Sequence, residues 1–380
     1  MDIKFSEDQV EILRQARRFC ENEMPMTYVR TMFEDERGFT DEVWSKMVEI
    51  GWTAMLLPEA YGGLGMELLD MSIVLEELGR AVSPGPLFST VLLGASAIAE
   101  AGSDAQKQRY LPAVAEGTMR GTLALHEPGS GADPGYIMME AMRDGDGFIV
   151  SGTKLFVPDA HVSDFIVCAV RTEKGGDPSK SITLLLIDAK TPGLMISLLP
   201  TMDGTRKLCA VEFKNVSVGK DAMLGEMNRG WGPLRKVMQK AQVGLCAECV
   251  GGAEKAMEFA TEYAKVRVQF DQPIGSFQAI KHRCAQMYVD VESARSLLYW
   301  ASWAQDHGDA NEAAIAASAA KVYCTEVYRN VSASAIQVLG GTGFSWEHDI
   351  HFYLKRAKAN EVALGDLAYH REQVIGLVAQ

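Results

Sequence analysis

Residues 267–282 read RVQFDQPIGSFQAIKH, and this segment is among the most informative about the fold. It joins Arg267 and an aromatic residue to a turn, and a helical stretch rich in Gln and His follows. A guanidinium group is suited to pairing with a phosphate or pyrophosphate, because its planar donors match two oxygen atoms. An exposed surface arginine is nevertheless the commoner role, so Arg267 alone leaves both interpretations open.

Two glycine-rich strings add to this segment. LALHEPGSGADPG, residues 123–135, packs Pro, Gly, Ser and Asp into one turn, and QVLGGTGF, residues 337–344, places a Gly-Gly turn after a helix. Such loops expose backbone N–H groups and let a flat ring approach the main chain closely. For the first string, a simple connection between domains is the alternative.

Apolar periodicity divides the chain into three parts. Helical spacing dominates residues 1–118, where Ser6 opens a capping box. Over 119–228, short β-rich runs such as GFIVSGTKLFV and SITLLLID alternate with Gly, Asp and Pro clusters. Long helical patterns return over 229–380, with Pro233 in a first turn. We therefore predict an α+β fold with an N-terminal helical domain, a central β domain and a C-terminal helical bundle, with these three ranges as their bounds.

Composition narrows the class of protein. Of 380 residues, 47% are hydrophobic and 23% charged, which is typical of a soluble globular protein. A net charge of −13 argues against broad binding to nucleic acid or anionic membranes. No apolar run is long enough to span a membrane, and the acidic start MDIKFSEDQVEIL lacks the pattern of a signal peptide. Seven cysteines without framework spacing fit a reducing compartment, so we expect a cytoplasmic protein.

Other motif-like strings are better explained by structure than by chemistry. Cys246 and Cys249 have CxxC spacing, but they lie within a helical pattern and lack a second pair for a metal. His348 and His351 resemble a ligand pair, yet their surroundings also fit a solvated helix start. The chain has no GxxxxGK[ST] string, which excludes a P-loop. We expect no metal site.

A set of five strings, in this order along nearly the whole chain, resembles the acyl-CoA dehydrogenase family: YGGLGMELLDMSIVLEELGRA, ALHEPGSGADPG, DGFIVSGTKLFV, RVQFDQPIGSFQAIKH and QVLGGTGFSWEHD. The resemblance implies a helical domain, a β-barrel-like domain and a four-helix bundle. It also implies FAD, an acyl-CoA substrate, an electron-transfer flavoprotein or similar acceptor, and a homo- or hetero-tetramer with a homologous subunit. In the implied reaction a carboxylate removes the α-proton of the thioester while the β-hydrogen leaves as hydride to the flavin.

The same resemblance assigns residues to the FAD. The isoalloxazine ring would be faced by the glycine-rich loop and a following strand end: Leu123, Leu125, His126, Gly131, Ala132, Phe156 and Pro158. The diphosphate and adenosine would be held, typically across a subunit interface, by Arg267, Gln269, Phe270, Phe277 and Gln278. The same nucleotide part would contact Gln337, Gly340 and Gly341. Gly365 and Asp366 would lie where the chain passes the flavin again.

The base that this reaction requires is missing from both positions that the resemblance assigns to it. The usual Glu position holds Leu364, and a second known position, on the first bundle helix, holds Ala241. A side chain without a carboxylate cannot take the α-proton. The flavin face departs as well, with His126 where Thr is common. Pro158 stands where a Thr hydroxyl usually bonds the ring, and it has neither a hydroxyl nor an N–H.

Two carboxylates could replace the missing base, which the sequence leaves unidentified. Asp366 lies two residues beyond Leu364 in KRAKANEVALGDLAYHRE, residues 355–372, although a helix ending on Gly365 with Asp366 capping the next helix is the favoured interpretation. Glu248 shares a helix face with Ala241, about 10 Å further along the helix. A buried structural Glu is favoured there. Burial should raise the pKa of whichever group acts as base.

The string FSWEHDIHFYLKRA resembles branches of the family that act on sterols or bulky ring acids and form mixed tetramers with one base-bearing partner. We therefore predict an FAD-dependent acyl-CoA dehydrogenase of fatty acid or sterol degradation, as one subunit of a heteromeric enzyme. The alternative is a non-catalytic partner subunit that supports FAD and lacks the base. A flavin-fold oxidase or hydroxylase is a third class. The sequence leaves open whether the chain is active alone and which acyl group it takes.

Overall fold

The computed structural model describes residues 5–129, 131–175 and 177–379. Its first part is helical, with a π-helical segment (Ser89–Ala95) leading into α5: α1 (Glu7–Glu23), α2 (Met26–Glu34), α3 (Asp41–Glu49), α4 (Leu68–Arg80), α5 (Ser96–Ala101) and α6 (Asp104–Ala115). Local capping determines where helices begin. The predicted capping box at Ser6 is confirmed, because Ser6 Oγ accepts from the Gln9 N–H and the Gln9 side chain accepts from the Ser6 N–H.

Two four-stranded sheets follow, built from β1 (Gly121–Ala124), β2 (Ala141–Asp144), β3 (Gly147–Pro158), β4 (Phe165–Arg171), β5 (Ile182–Asp188), β6 (Leu194–Leu198), β7 (Leu208–Val218) and β8 (Met223–Leu224). One sheet has the order β1-β4-β5-β8, and the other has the order β2-β3-β7-β6. Only the pairing of β1 with β4 is parallel among these described strands. Apolar side chains from both sheets form one buried cluster, which includes Val150, Ile166, Leu185 and Val211.

Long helices form the C-terminal part: α7 (Trp231–Val266), α8 (Gln278–His307), α9 (Ala310–Leu339), α10 (Gly341–Phe344), α11 (Ile350–Val362) and α12 (Leu367–Val378). Between α7 and α8 lies a hairpin of β9 (Val268–Gln269) and β10 (Gln272–Pro273). Pro233 lies in the first turn of α7, as predicted. Within the described residues, no helix combines the length and the apolarity that crossing a membrane requires.

The chain folds into two compact units. The first consists of Met1–Thr31, Leu68–Ser83 and Gln242–Gln380, and the second of Met32–Glu67 and Pro84–Ala241. The first unit thus combines α1 and α4 with the C-terminal helices, whereas the second holds both four-stranded sheets. The predicted domain boundaries after residues 118 and 228 both fall inside the second unit, so the division into three ranges stays a prediction.

Two glycines bring α4 and α7 into backbone contact within the first unit. A Cβ atom at Gly251 would lie 1.8 Å from Glu76 O, and one at Gly79 would lie 2.2 Å from Glu248 O. Any larger residue would push the helices apart, because packed interiors leave no room for an added methyl group at these distances. This contact fixes the position of α7 relative to α4, and with it the position of Glu248.

Candidate functional site

The glycine-rich loop that the sequence assigns to the flavin follows β1 in the second unit. Leu123, Leu125 and Ala132 are buried, so these side chains anchor the loop rather than face solvent. The His126 carbonyl accepts from the Leu155 N–H at 2.8 Å, which ties the loop to β3. Ser130, within the same loop, lies outside the described residues.

An ion pair between Glu127 and Lys154 fixes this loop from the inside. The fully buried Lys154 donates from Nζ to Glu127 Oε1 at 2.6 Å and to the Leu125 carbonyl at 3.1 Å. The Glu127 carboxylate also accepts from the Met138 and Met139 N–H groups, at 3.1 and 3.0 Å. Buried charges persist when they are paired and hydrogen-bonded. The signal for this pair in the sequence is a lysine inside the apolar strand pattern GFIVSGTKLFV.

Phe156 and Pro158 end β3 at an irregularity in its pairing. The register with β7 shifts between Lys154 and Val157, and Phe156 there adopts a φ of +54°. Such a conformation costs a non-glycine residue on the order of 1–3 kcal/mol. The Phe156 side chain is also 53% exposed, so strain and exposure coincide at a residue expected to meet the flavin. The Pro158 carbonyl accepts from Thr122 Oγ1 at 2.6 Å, and its ring offers no donor.

His126 is a neutral side chain at physiological pH. Burial lowers the pKa of His126, and the nearby Lys154 ammonium lowers it further, while a hydrogen bond with the Gly131 backbone opposes both effects. A neutral imidazole can donate from one nitrogen and accept at the other. The single N–H of His126 is engaged in the hydrogen bond with the Gly131 backbone, so the other nitrogen can only accept.

In the first unit, the segment after α7 forms an exposed hairpin. β9 and β10 pair across a two-residue turn of Phe270 and Asp271, whose φ angles are +52° and +63°. Positive φ at both central residues defines a type I′ turn, which usually contains Asn and Gly. The Phe270 side chain is 84% exposed, and its ring meets that of Phe277 edge-on with centroids 6.0 Å apart. The hairpin therefore presents an aromatic pair on a strained turn.

Arg267 stands at the base of this hairpin on a fixed backbone. Its N–H donates to the Tyr263 carbonyl at 2.8 Å, and its own carbonyl accepts from the Ile274 N–H at 2.8 Å. The residue is exposed, as are Gln269 and Gln278. An accessible guanidinium group beside an aromatic pair suits a nucleotide diphosphate.

The Gly-Gly turn after α9 lies next to the end of α7. Gly340 has a φ of +61°, and apart from its chain neighbours no atom lies within 4 Å of a Cβ position at Gly340 or Gly341. Gln337, one turn earlier in α9, is exposed. Tyr263 Oη lies 3.5 Å from Thr342 Oγ1, which connects this turn to α7 close to Arg267. The Gly-Gly turn is thus open where a Cβ would lie and is linked to the end of α7, and the nucleotide-binding role of these residues stays a prediction.

The turn at the expected base position lies between α11 and α12. α11 ends at Val362 with Ala363 as its C-cap, so the predicted C-terminal cap at Gly365 is wrong by two residues. Leu364 and Gly365 then follow with φ angles of +57° and +105°. The chain leaves the helix early because two successive residues take left-handed backbone conformations. Asp366 caps α12, as predicted, and its Oδ1 accepts from the Tyr369 N–H at 2.8 Å.

The second base position and its substitute are both buried in α7. Ala241 is fully buried. Glu248 is 5% exposed, and its Oε2 lies 3.5 Å from Arg356 Nη1. Arg356 also donates to the Ser83 carbonyl at 3.1 Å, so the pair joins α7 and α11 to the segment that follows α4. Glu248 is thus buried and paired, as expected of a structural residue, and its role stays a prediction.

Three polar side chains that the sequence reasoning missed hold the turn at Leu364. Gln242 and His370 donate to the Leu364 carbonyl at 3.1 and 3.0 Å, and Lys321 donates to the Gly365 carbonyl at 3.0 Å. The available signal was a polar residue inside an apolar helical pattern, most clearly the lysine in AAIAASAAKVYC.

The CxxC string and the histidine pair of residues 347–351 make structural contacts. Cys246 and Cys249 are buried free thiols, and Cys249 Sγ accepts from Asn360 Nδ2 at 3.4 Å. His348 Nδ1 accepts from the Ile350 N–H at 3.0 Å at the start of α11. In the part of the chain that the structure describes, no group of three His, Cys, Asp or Glu side chains is arranged to bind a metal ion.

Three family models match successive parts of the chain. Residues 6–118 match the N-terminal domain of acyl-CoA dehydrogenase, residues 122–216 match its middle domain, and residues 228–376 match its C-terminal domain. The chain belongs to the acyl-CoA dehydrogenase family. The predicted family, the α+β fold, the FAD cofactor and the oxidoreductase class of this family member are thereby confirmed.

Three related proteins illustrate the range of this acyl-CoA dehydrogenase's relatives. Acyl-CoA dehydrogenase IpdE2 of Mycobacterium tuberculosis is 33% identical over 330 residues, which cover 87% of this chain and 84% of that protein. The structure of butyryl-CoA dehydrogenase from Megasphaera elsdenii matches with a TM-score of 0.92 and 28% identity, over 100% of each chain. A variant of the Tcur3481-Tcur3483 steroid ACAD matches with a TM-score of 0.87 and 30% identity, over 98% of each chain.

His370 gives the folded chain a specific dependence on pH. Burial lowers the pKa of His370 from 6.5 to about 4, and the Lys321 ammonium adds to this effect. The unfolded chain then binds more protons than the folded chain between these values, so stability is complete above pH 6.5 and falls as the pH drops towards 4. We expect wild type to lose about 3 kcal/mol more than His370→Gln across this window.

Thermal unfolding midpoints measured from pH 7.5 to pH 4 would check this difference. The Gln side chain keeps a donor for the Leu364 carbonyl and does not titrate, so His370→Gln is the matched control. Parallel pH profiles for the two proteins would contradict the assignment of a neutral, buried imidazole.

Proposed function

We propose that this chain is one subunit of a heteromeric, FAD-dependent acyl-CoA dehydrogenase and that a homologous subunit supplies the base. The observation that carries the proposal is the absence of an acid at both expected base positions, Leu364 and Ala241. The segments expected to hold the nucleotide contain the residue types that the family resemblance assigns to this role, and most of these residues are exposed. The chain therefore has the means to hold the cofactor and lacks the means to start the reaction.

The chemistry explains why this lack matters. Dehydrogenation of an acyl-CoA thioester needs a group that removes the α-proton, while bound FAD accepts the β-hydrogen as hydride. The α-carbon is weakly acidic unless donors stabilise the charge that develops on the thioester oxygen. A base must also lie within about 3 Å of the proton that it takes. Neither leucine nor alanine can accept a proton.

Neither substitute carboxylate in this chain is free to act. Asp366 is engaged as the cap of α12, so reaching a substrate would require it to release the Tyr369 N–H. Glu248 forms a buried pair with Arg356, and moving it away would leave a buried charge without its partner. Breaking a buried pair typically costs about 3–5 kcal/mol. Both residues are better explained as structural.

The residues present fit FAD best at its nucleotide end. Arg267 would hold the diphosphate, the Phe270 and Phe277 rings would contact the adenosine, and the open Gly340–Gly341 turn would admit the nucleotide against its backbone. Among the residues expected at the flavin ring, Phe156 presents an exposed aromatic face and His126 a neutral imidazole.

The relatives support a bulky acyl group and a mixed assembly. One similar structure is that of a variant of the Tcur3481-Tcur3483 steroid ACAD, whose double name fits a mixed assembly. We infer a sterol-derived or ring-containing acyl-CoA substrate, a tetramer with a homologous subunit, and an electron-transfer flavoprotein or similar acceptor. Free, buried cysteines fit a reducing compartment, in keeping with a cytoplasmic enzyme.

A second candidate is a subunit that supports the assembly without taking part in catalysis. Pro158 favours it, because the strand end that should donate a hydrogen bond to the flavin has no donor. The two candidates differ in whether FAD held by this chain is needed for turnover. Removing the contact between Arg267 and the FAD diphosphate distinguishes the two candidate functions.

Arg267→Ala should weaken FAD binding about tenfold to a hundredfold, because a charge-assisted contact to the diphosphate is lost. FAD titration monitored by flavin fluorescence measures the change. Arg18→Ala, which removes an equally exposed arginine on α1, is the matched control and should bind FAD like wild type. If Arg267→Ala binds FAD unchanged, the FAD-holding role of this chain is refuted. If it loses FAD while the assembled enzyme keeps full turnover, the FAD of this chain is not needed for catalysis and the second candidate is supported.

Purified alone and loaded with FAD, the chain should leave its visible flavin absorbance unchanged when acyl-CoA is added, because no carboxylate takes the α-proton. Co-purified with a base-bearing homologous subunit, the same flavin should bleach. Full bleaching by the lone chain, abolished in Asp366→Asn or in Glu248→Gln, would show instead that this chain carries its own base.

A further inference from the structure

The Leu364 carbonyl is held by side chains from two helices of the first unit. Gln242 on α7 and His370 on α12 both donate to it from Nε2. A carbonyl oxygen has two lone pairs, so the two donors satisfy it completely. The other imidazole nitrogen, Nδ1 of His370, accepts from Ser318 Oγ on α9 at 3.2 Å. This pattern requires the neutral tautomer with the proton on Nε2.

Lys321 holds the second half of the same turn. It is fully buried in α9, and its Nζ donates to the carbonyls of Gly365, Asn360 and Glu361 at 3.0, 3.1 and 3.3 Å. Asn360 and Glu361 lie in the last turn of α11, where carbonyls have no partner within the helix. An ammonium group has three donors, and here each has an acceptor. Lys321 thus caps α11 and fixes Gly365 at once.

The surroundings of Lys321 show why this contact cannot be replaced by packing alone. Burial lowers the pKa of Lys321, and the groups that oppose this effect are Cys246, Cys249, Glu361 and Asp366. The direct acceptors are neutral carbonyls that face the same buried space. An apolar side chain at 321 would leave them without a donor, which is costlier than losing the bond itself.

We propose that Lys321, His370 and Gln242 are positioning residues that lock the Leu364–Gly365 turn, so that residue 364 is presented to the site while Asp366 is kept as a helix cap. The lock itself is an inference from the contacts alone. Its consequence for the site rests on the proposed function, because it takes position 364 as the place of the family base. A locked turn cannot shift by two residues, which explains why Asp366 does not serve as a substitute.

Hydrogen–deuterium exchange of the full-length, FAD-loaded chain tests the lock directly. The reporters are the Ala363 N–H, which donates to the Ala359 carbonyl at 3.2 Å, and the Tyr369 N–H, which donates to Asp366. Lys321→Met and His370→Leu should each speed exchange at these amides about tenfold or more, because the carbonyls of the turn lose charge-assisted or buried donors.

Matched variants separate the lock from general destabilisation. His370→Gln retains an amide donor for Leu364 and should exchange at a rate near that of wild type. Lys358→Met removes an exposed lysine of α11 that pairs with Glu361, and it should also leave the reporters unchanged. If Lys321→Met does not fold, Lys321→Arg and the two His370 variants carry the test. Equal exchange in wild type, Lys321→Met and His370→Leu would overturn the lock.

A separate arm tests the consequence for position 364. Leu364→Glu should allow the lone, FAD-loaded chain to bleach with acyl-CoA, and adding Lys321→Met should lower its kcat at least tenfold with little change in KM. A kcat unaffected by Lys321→Met would refute the positioning role. Failure of Leu364→Glu to bleach at all would refute the assignment of position 364, and with it this part of the proposed function, while the exchange experiment still decides the lock.

Discussion

The buried ammonium group of Lys321 imposes the strongest constraint on the candidate site. A lysine side chain with no access to water must find oxygen acceptors for its three donors, and here they come from the last turn of α11 and from the turn beyond it. Lys321 thereby ties the last turn of α11 to the Gly365 carbonyl, while Gln242 and His370 hold the Leu364 carbonyl and Asp366 caps α12. The turn around residue 364 is therefore held by side chains from three helices and by the cap of α12.

The same constraint explains why a leucine at position 364 matters for catalysis. In a loosely held loop, the loss of a carboxylate at one position could be offset by a nearby acid after a small rearrangement. Here the carbonyls on both sides of the turn are satisfied, and the neighbouring Asp366 is bound to an amide of its own helix. A leucine at 364 in this setting is a substitution that the chain itself cannot compensate, and it directs attention to a second subunit.

Much of the fold followed from local signals in the sequence. The capping box at Ser6 and the cap at Asp366 could be predicted because a side-chain oxygen next to a helix start has one strongly favoured partner. The early end of α11 could not be predicted, because it depends on carbonyls of α11 that accept hydrogen bonds from Lys321 on another helix. A turn in this segment could be predicted, but its type I′ geometry at Phe270 and Asp271 could not, since the usual Asn and Gly are absent and Phe rarely adopts positive φ.

The candidate site, like the fold, could be predicted only in part. Residue types along 267–278 and 337–341 indicated nucleotide binding, which stays a prediction, and Tyr263 and Thr342, which lie next to these segments, are in contact in the first unit. The strained Phe156 was not predictable, because it depends on a register shift between β3 and β7. The lysine inside an apolar strand pattern indicated a buried charge at Lys154, but its pairing with Glu127 depends on a loop folding back over the strand. Pairwise tertiary contacts of this kind leave little trace in local spacing.

The most direct measurement of the central claim follows the α-proton itself. An acyl-CoA that carries α-hydrogens and no β-hydrogen cannot transfer hydride, so in heavy water any base within reach records its action as deuterium at the α-carbon, which mass spectrometry detects. The account predicts no incorporation above the uncatalysed rate with the lone, FAD-loaded chain, and clear incorporation with the assembled heteromer. Incorporation by the lone chain at the rate of the heteromer would contradict it.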